Sequence, residues 1–153
     1  MSLRAIKPFI IMMGVCALLY LVFILSNRAH SQTSVLDISQ QTLINLLDKT
    51  SLGASTLLEG PGIHRDYILI DVRSPTEFKA GHVRTAVNIP HNEILENISL
   101  LDPYLEKDMI FYCRSGGRAG KVTRYLTELE YKGLYHLDGD FMGWQDSNLD
   151  IAQ

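Results

Sequence analysis

The chain has 153 residues, with 14 basic and 17 acidic side chains and a formal net charge of −3. That length suits one ordinary domain plus an appendage. Three basic residues (Arg4, Lys7, Arg28) and no acidic ones fall in residues 1–33, so the remainder carries a net −6, and nucleic-acid binding, which shows a basic patch or stripe, is not expected. The two cysteines, Cys16 and Cys113, lie in different regions. Without a CxxC or a Cys/His cluster at zinc spacing, neither a disulfide framework nor a metal site is predicted.

Between Lys7 and Arg28 lie 20 uncharged residues, Pro8 to Asn27, most of them Ile, Leu, Val, Met or Phe. A helix of that length spans roughly 30 Å, the thickness of a bilayer core, and no polar face interrupts this one. Residues 1–33 therefore read as a transmembrane anchor or signal segment with a linker, entering the membrane through residues 8–27, and residues 34–153 as a folded domain. Arg4, Lys7 and the amino terminus precede the span, so the positive-inside bias keeps them in the cytoplasm and sends the domain to the periplasmic side. Ala29-His30-Ser31 offers small residues for cleavage after Ser31, which would release the domain into the periplasm. The length of the apolar run favours a retained anchor. Cys16 reads as a membrane-buried small hydrophobe, because Val15 stands where a lipidation site needs a small residue.

Ser39 can cap a helix with Leu43, Leu46 and Leu47 on one face, fading near Asp48-Lys49. Thr50 to Asp66, with Gly53, Gly60, Pro61 and Gly62, reads as a long surface loop to which no role is assigned. Tyr67 to Arg73 is a β-branched apolar run ending in charges, as in a strand buried on both faces. Ser74 as N-cap, Pro75 at the first position and Glu77 at the third start a short helix that Gly81 ends. His82 to Pro90 reads as one short strand, Asn92 to Leu101 as a helix, and Met109 to Tyr112 as a strand. Ala119, Val122, Leu126 and Leu129 repeat at helical spacing, with Lys132-Gly133 closing that helix. Leu134 to Leu137 is a further strand, and Asp138-Gly139-Asp140 turns into a last helix carrying Phe141 and Trp144. Alternating strands and helices predict an α/β fold with a mainly parallel sheet. Ligands bind beyond the carboxyl ends of such strands.

Cys113 stands at such an end. Arg114, Ser115, Gly116, Gly117 and Arg118 follow it, and the helical pattern begins at once. Loop amides converging over the thiol, the helix N-terminus and the two arginines would each favour a thiolate, the nucleophilic form of cysteine. Gly116 and Gly117 would let the backbone curl close to the sulfur. Lys121 and Arg124 either steer small anions to the loop or form a solvated helix face.

Around this loop the pieces Asp71-Val72-Arg73, Glu77-Phe78, Gly81-His82-Val83, Ala86, Asn88-Ile89-Pro90, Cys113-Arg114-Ser115-Gly116, Arg118, Gly133, Leu137-Asp138-Gly139 and Trp144 fall in order. Together they resemble a single-domain rhodanese, from about Leu36 to Ile151, with the hydrophobic N-terminal segment outside the resemblance. The resemblance implies the rhodanese-like three-layer fold and a thiosulfate sulfurtransferase-like activity that needs no cofactor. Cys113 would take a sulfane sulfur from a small anionic donor such as thiosulfate, hold it as a persulfide and pass it to a thiol or cyanide. Arg114, Ser115, Gly116, Gly117 and Arg118 would form the substrate loop, braced by Asp71 and Arg73. Arg118 can be a substrate ligand, an internal staple, or both. His82 reads as a cap or packing residue and Trp144 as core. Ala119 stands where many relatives carry Ser or Thr, Asp140 where they carry glycine, and Gly143 where they carry alanine; these departures bear on the rim of the site.

Two other functions compete. A rhodanese-related phosphatase needs Cys-x5-Arg around a phosphate, whereas Arg118 follows Cys113 after four residues and Ala119 holds the position that arginine would take. A sulfur-carrying or protein-binding module without turnover would use the same loop.

Overall fold

The computed structural model describes residues 18–22, 35–51 and 66–153. The chain divides into two units, Met1–Gln32 and Thr33–Gln153. In the first, residues 18–22 are helical and their side chains are more than half exposed. The rest of the predicted span over 8–27 lies outside the described residues, as do Cys16, the predicted linker and all but the ends of the Thr50–Asp66 loop. Among the described residues, no helix is long and apolar enough to cross a membrane.

In the second unit the strands are β1 (Leu36–Ile38), β2 (Tyr67–Asp71), β3 (His82–Val83), β4 (Val87–Asn88), β5 (Asp108–Tyr112), β6 (Leu134–Leu137) and β7 (Ile151–Ala152). The helices are α1 (Gln40–Ser51), α2 (Pro75–Ala80), α3 (His91–Glu96), α4 (Gly117–Glu128) and α5 (Asp140–Asp146), with a 3-10 helix over Ile98–Tyr104. Five strands form a sheet of order β1-β6-β5-β2-β4, parallel throughout. The two central strands, β2 and β5, pair in register with Leu69 opposite Ile110 and Ile70 opposite Phe111.

Side chains alternate across these strands, so each strand feeds two cores. One holds Leu43 and Leu47 of α1 with Leu69, Ile110, Tyr112, Phe141 and Trp144. The other holds Ile94 and Leu101 with Ile70, Phe111, Cys113, Ala119, Val122 and Leu126. Helices thus cover both faces of a parallel sheet, giving the three layers that the resemblance implies. Trp144 is core, and its indole N–H donates to the Asp150 carbonyl (3.0 Å), tying α5 to the segment that leads into β7.

Local chemistry explains several elements. The Ser39 hydroxyl accepts the Thr42 N–H (3.2 Å), which caps α1 as predicted, though the helix runs on to Ser51. The capping box of α2 is complete: Ser74 Oγ accepts the Glu77 N–H and Glu77 Oε2 accepts the Ser74 N–H. His82 does cap this helix, with Nδ1 3.0 Å from the Phe78 carbonyl and its ring stacked on Phe78.

Three expectations need correction, and two strands, β1 and β7, are too short for any pattern in the sequence to mark them. The single strand over His82–Pro90 is two strands in two sheets: β3 pairs antiparallel with β7, while β4 joins the main sheet. Thr85, at φ +68, and a bond from the Ala86 N–H to the Val83 carbonyl make the turn between them. The helix over Asn92–Leu101 breaks at Asn97, whose side chain caps the 3-10 helix by accepting the Ser99 N–H. Finally, α4 stops at Glu128, and Glu130 takes the left-handed conformation just past its end (φ +62), with Gly133 left-handed again three residues on (φ +66). Gly133 serves a different purpose, because a Cβ there would lie 2.4 Å from Asp108 Oδ1.

Candidate active site

Strand β5, buried at every position, ends at Tyr112 and delivers Cys113 at the carboxyl edge of the sheet. Cys113 is a free thiol, 2% exposed. The chain then turns through Arg114 and Ser115 to Gly116, which caps α4 at φ +88. That left-handed turn aims the Gly116 N–H back at Cys113 Sγ, 3.2 Å away. The predicted convergence of several amides is narrower here: among the described residues, the backbone donor that reaches the sulfur is Gly116. The two glycines also differ. A Cβ on Gly116 would lie 3.1 Å from Asp140 Oδ2, whereas one on Gly117 meets open space. Close approach therefore requires glycine at 116 alone.

Helix α5 holds the other side of the loop. The Phe141 N–H donates to the Cys113 carbonyl and the Met142 N–H to the Arg114 carbonyl, each at 3.0 Å. The Cys113 N–H donates to Asp140 Oδ1 at 2.7 Å. Asp140 is buried and adopts φ +51, a conformation that costs a non-glycine residue about 1 kcal/mol or more. Gly143 has a packing reason too, since a Cβ there would come within 2.7 Å of Gln40 Nε2.

Asp71 and Arg73 lie beside the loop, at the end of β2. Both are buried and bonded face to face: Arg73 Nη2 reaches Asp71 Oδ2 at 2.6 Å and Nε reaches the same oxygen at 2.9 Å. Arg73 also donates to the Gly81 carbonyl (2.7 Å), and its guanidinium lies 3.8 Å from the centroid of the Phe141 ring. Asn88 Nδ2 donates to the carbonyls of both residues 71 and 73. The pair ties β2 to α2 and α5. Burial, then the Asp71 charge, pushes the neighbouring Tyr112 phenol well above its usual range, and its oxygen accepts the Val83 N–H.

Arg118 is stapled, and its partner is the capping residue of a distant helix. Its guanidinium makes a two-pronged pair with Glu77, at 2.6 and 2.8 Å. Glu77 first, and the Cys113 sulfur after it, hold Arg118 firmly cationic. In return, the hydrogen bond from Arg118 pulls the Glu77 carboxyl down from 4.5 to about 2. A carboxyl lowered on folding contributes stability that is present above its unfolded value and lost as pH falls through its folded one. Urea unfolding at a series of pH values should therefore show the gap between wild type and Glu77→Gln shrinking between about pH 4.5 and 2, by roughly 1 kcal/mol once solvent screening is allowed for. A gap that does not vary with pH would count against the pairing.

Arg114 and Ser115 are exposed at the rim, and Arg114 has no carboxylate partner among the described residues. Lys121 and Arg124 are exposed on α4. His91 stands within reach of this charge: burial first, then Arg118 and Lys121, push its imidazole below the usual histidine value. Its position in the sequence carries no motif that marks it. Among the described residues, no group of three or more His, Cys, Asp or Glu side chains could hold a metal ion.

The rhodanese-like domain model matches residues 54–147. In curated relatives, the chain is 35% identical over 101 residues to "Putative thiosulfate sulfurtransferase, mitochondrial" of Schizosaccharomyces pombe, covering 59% of this chain and 71% of that one. It is 30% identical over 87 residues to a sulfurtransferase of Allochromatium vinosum, covering 57% and 79%. Over 80 residues it is 31% identical to the tRNA uridine(34) hydroxylase of Buchnera aphidicola, covering half of this chain but only 26% of that longer protein. Among solved structures, a rhodanese-related protein of Thermoplasma volcanium superposes with a TM-score of 0.56 at 20% identity, over 76% of this chain and 97% of that one. With a buried cysteine at the end of the central parallel strand and a glycine-capped helix behind it, the chain belongs to the rhodanese-like sulfurtransferase family.

Proposed function

We propose that the protein is a sulfurtransferase that carries a sulfane sulfur on Cys113. The observation behind this reading is the Gly116 N–H aimed at Cys113 Sγ from the N-terminus of α4, beside the Arg118 cation. A donor amide and a fixed cation at one sulfur favour its anion, whether thiolate or persulfide. With thiosulfate, the Cys113 thiolate attacks the outer sulfur. A new S–S bond forms, the bond to the sulfonate breaks, and sulfite leaves with the electron pair. Cyanide or a thiolate then takes the outer sulfur and returns the Cys113 thiolate; cyanide leaves as thiocyanate.

Roles divide by engagement. Arg114, exposed and without a carboxylate partner among the described residues, meets the donor's sulfonate through forked hydrogen bonds. Arg118, held by Glu77, sets the charge behind the sulfur and keeps the loop in place. Ser115 and Gly117 form the rim, and Asp71 and Arg73 brace the loop from below. The short spacing from Cys113 to Arg118 suits a sulfur atom better than a phosphoryl group. The charge pattern around the apolar stretch 8–27 supports a membrane-held protein with its domain on the periplasmic side, or a periplasmic product if the segment is cleaved.

Intact-mass spectrometry after thiosulfate exposure tests the chemistry. One added sulfur is expected, absent in Cys113→Ser, together with thiocyanate release on adding cyanide. Turnover of p-nitrophenyl phosphate without either signal would replace this reading with a phosphatase. A sulfur adduct with no onward transfer would reduce it to a carrier.

A further inference from the structure

Asp140 is a buried acid on left-handed backbone, at a turn where glycine would sit without strain. Both of its oxygens are engaged. Oδ1 accepts the Cys113 N–H at 2.7 Å, and Oδ2 lies 3.1 Å from His136 Nε2. The other ring nitrogen, His136 Nδ1, is 3.4 Å from Asp37 Oδ1. A continuous path therefore runs from the exposed Asp37 on edge strand β1, through the half-buried His136 on β6, to the main chain of Cys113. The loop amide that meets the sulfur rests on the same pair: a Cβ on Gly116 would lie 3.1 Å from Asp140 Oδ2 and 3.5 Å from His136 Cε1. The charged groups facing the ring are Asp37 from β1 and Asp140 from α5. From the active loop the neighbour is Gly116, and from β5 it is Phe111, the register partner of His136.

A carboxylate bonded to the Cys113 amide opposes an anion on the same residue's sulfur, and a cation on the neighbouring ring cancels the opposition. We propose that Asp140 and His136 are a positioning pair for Cys113, in which Asp140 fixes the backbone of the nucleophile and the charge on His136 sets the potential felt by its sulfur. Neither residue touches substrate. With the ring protonated, the pair is neutral, and the Gly116 amide and Arg118 govern the sulfur. With the ring neutral, one uncompensated negative charge remains below it, and the anion is disfavoured. The hydrogen bond to Asp140 leads the effects that raise His136 above its usual value, so the change falls on the alkaline side of that value. Its bearing on sulfur loading rests on the sulfurtransferase reading; its bearing on thiol reactivity does not.

The probe is iodoacetamide, an uncharged alkylating agent, applied to the full chain across about pH 5.5–9 and read at the Cys113 peptide by mass spectrometry. His136→Gln leaves the Asp140 charge uncompensated at every pH. It should slow alkylation near pH 6 by about tenfold, the effect of one nearby unit charge, and turn the wild-type curve into a single titration. Asp140→Asn keeps an acceptor for the Cys113 N–H but loses the charge, and should speed alkylation on the alkaline side. A second arm needs no variant. Because linkage is reciprocal, carboxamidomethylation of Cys113 should lower the His136 ring pKa measured by NMR in the unmutated chain. Superimposable alkylation profiles, or a His136 titration that ignores the state of Cys113, overturn the pair. Normal linkage without thiosulfate loading would leave the pair standing and remove the sulfurtransferase reading.

Discussion

Replacing Arg73 with alanine is expected to destabilise the domain by about 3–5 kcal/mol, the usual cost of stranding one partner of a buried ion pair. Asp71 is fully buried; its partners are the Arg73 guanidinium and the Arg73 N–H, with the Tyr112 phenol beside it. Alanine keeps the second contact and loses the first. It also removes the donor to the Gly81 carbonyl at the end of α2 and the cation over Phe141. Three elements lose their common anchor at once, which places the cost at the upper end of the range for a single substitution. Urea unfolding midpoints give the measurement. The double variant Asp71→Leu, Arg73→Met removes both charges and keeps apolar bulk, so it should recover more than half of the loss. A single variant that costs less than about 1 kcal/mol would mean that water reaches the Asp71 carboxylate.

Substituting Gly116 with alanine should lower the rate of persulfide formation by about a hundredfold, the low end of what the loss of a donor to a developing anion costs. The methyl group would enter a left-handed position and press on Asp140 Oδ2. The strain is relieved by moving the Asp140 carboxylate that holds the Cys113 N–H or by rotating the peptide whose N–H faces the sulfur, and either disturbs the loop. Gly117 is the control one residue along. A Cβ there meets nothing, and alanine is the better helix former, so Gly117→Ala should hold activity within about threefold and add slightly to stability. Stopped-flow loading with thiosulfate compares the two. Equal losses would mean that loop flexibility, not the aim of one amide, controls the chemistry.

The parts of this molecule that were legible in the sequence are those written locally. The runs ending at Asp71 and Tyr112 are strands because their apolar residues are continuous and rich in β-branched and aromatic side chains. The Ser74–Glu77 box starts α2 because both halves of it lie within one turn. The Cys113 loop was visible for the same reason, with nucleophile, glycine and arginines adjacent in the chain. What escaped was either too short to carry a period or depended on a distant partner. β1 and β7 have three and two residues and are strands only because β6 and β3 receive them. His82–Pro90 has the composition of one strand, yet a left-handed Thr85 splits it between two sheets. The clamp on Arg118 comes from Glu77, which looked like a capping residue and is one; a single carboxylate serves both tasks. Asp140 looked like a departure from glycine at the rim and proved to be a contact to the nucleophile's own backbone. No local pattern reveals that, because His136 and Cys113 approach it from different strands.

The sheet order also fixes the sequence of events when the protein is made. Of the strands, β1 is made before the others, but its partner in the sheet is β6, where Leu36 meets Tyr135 from much later in the chain. Parallel pairings across such separations form slowly, since the loop must close before any contact rewards it. Cys113 therefore emerges well before α5, which supplies the bonds to its carbonyl and to its amide. Until the last helix docks, a nascent chain carries this thiol on an unfinished edge, open to whatever oxidants or chaperones the compartment holds.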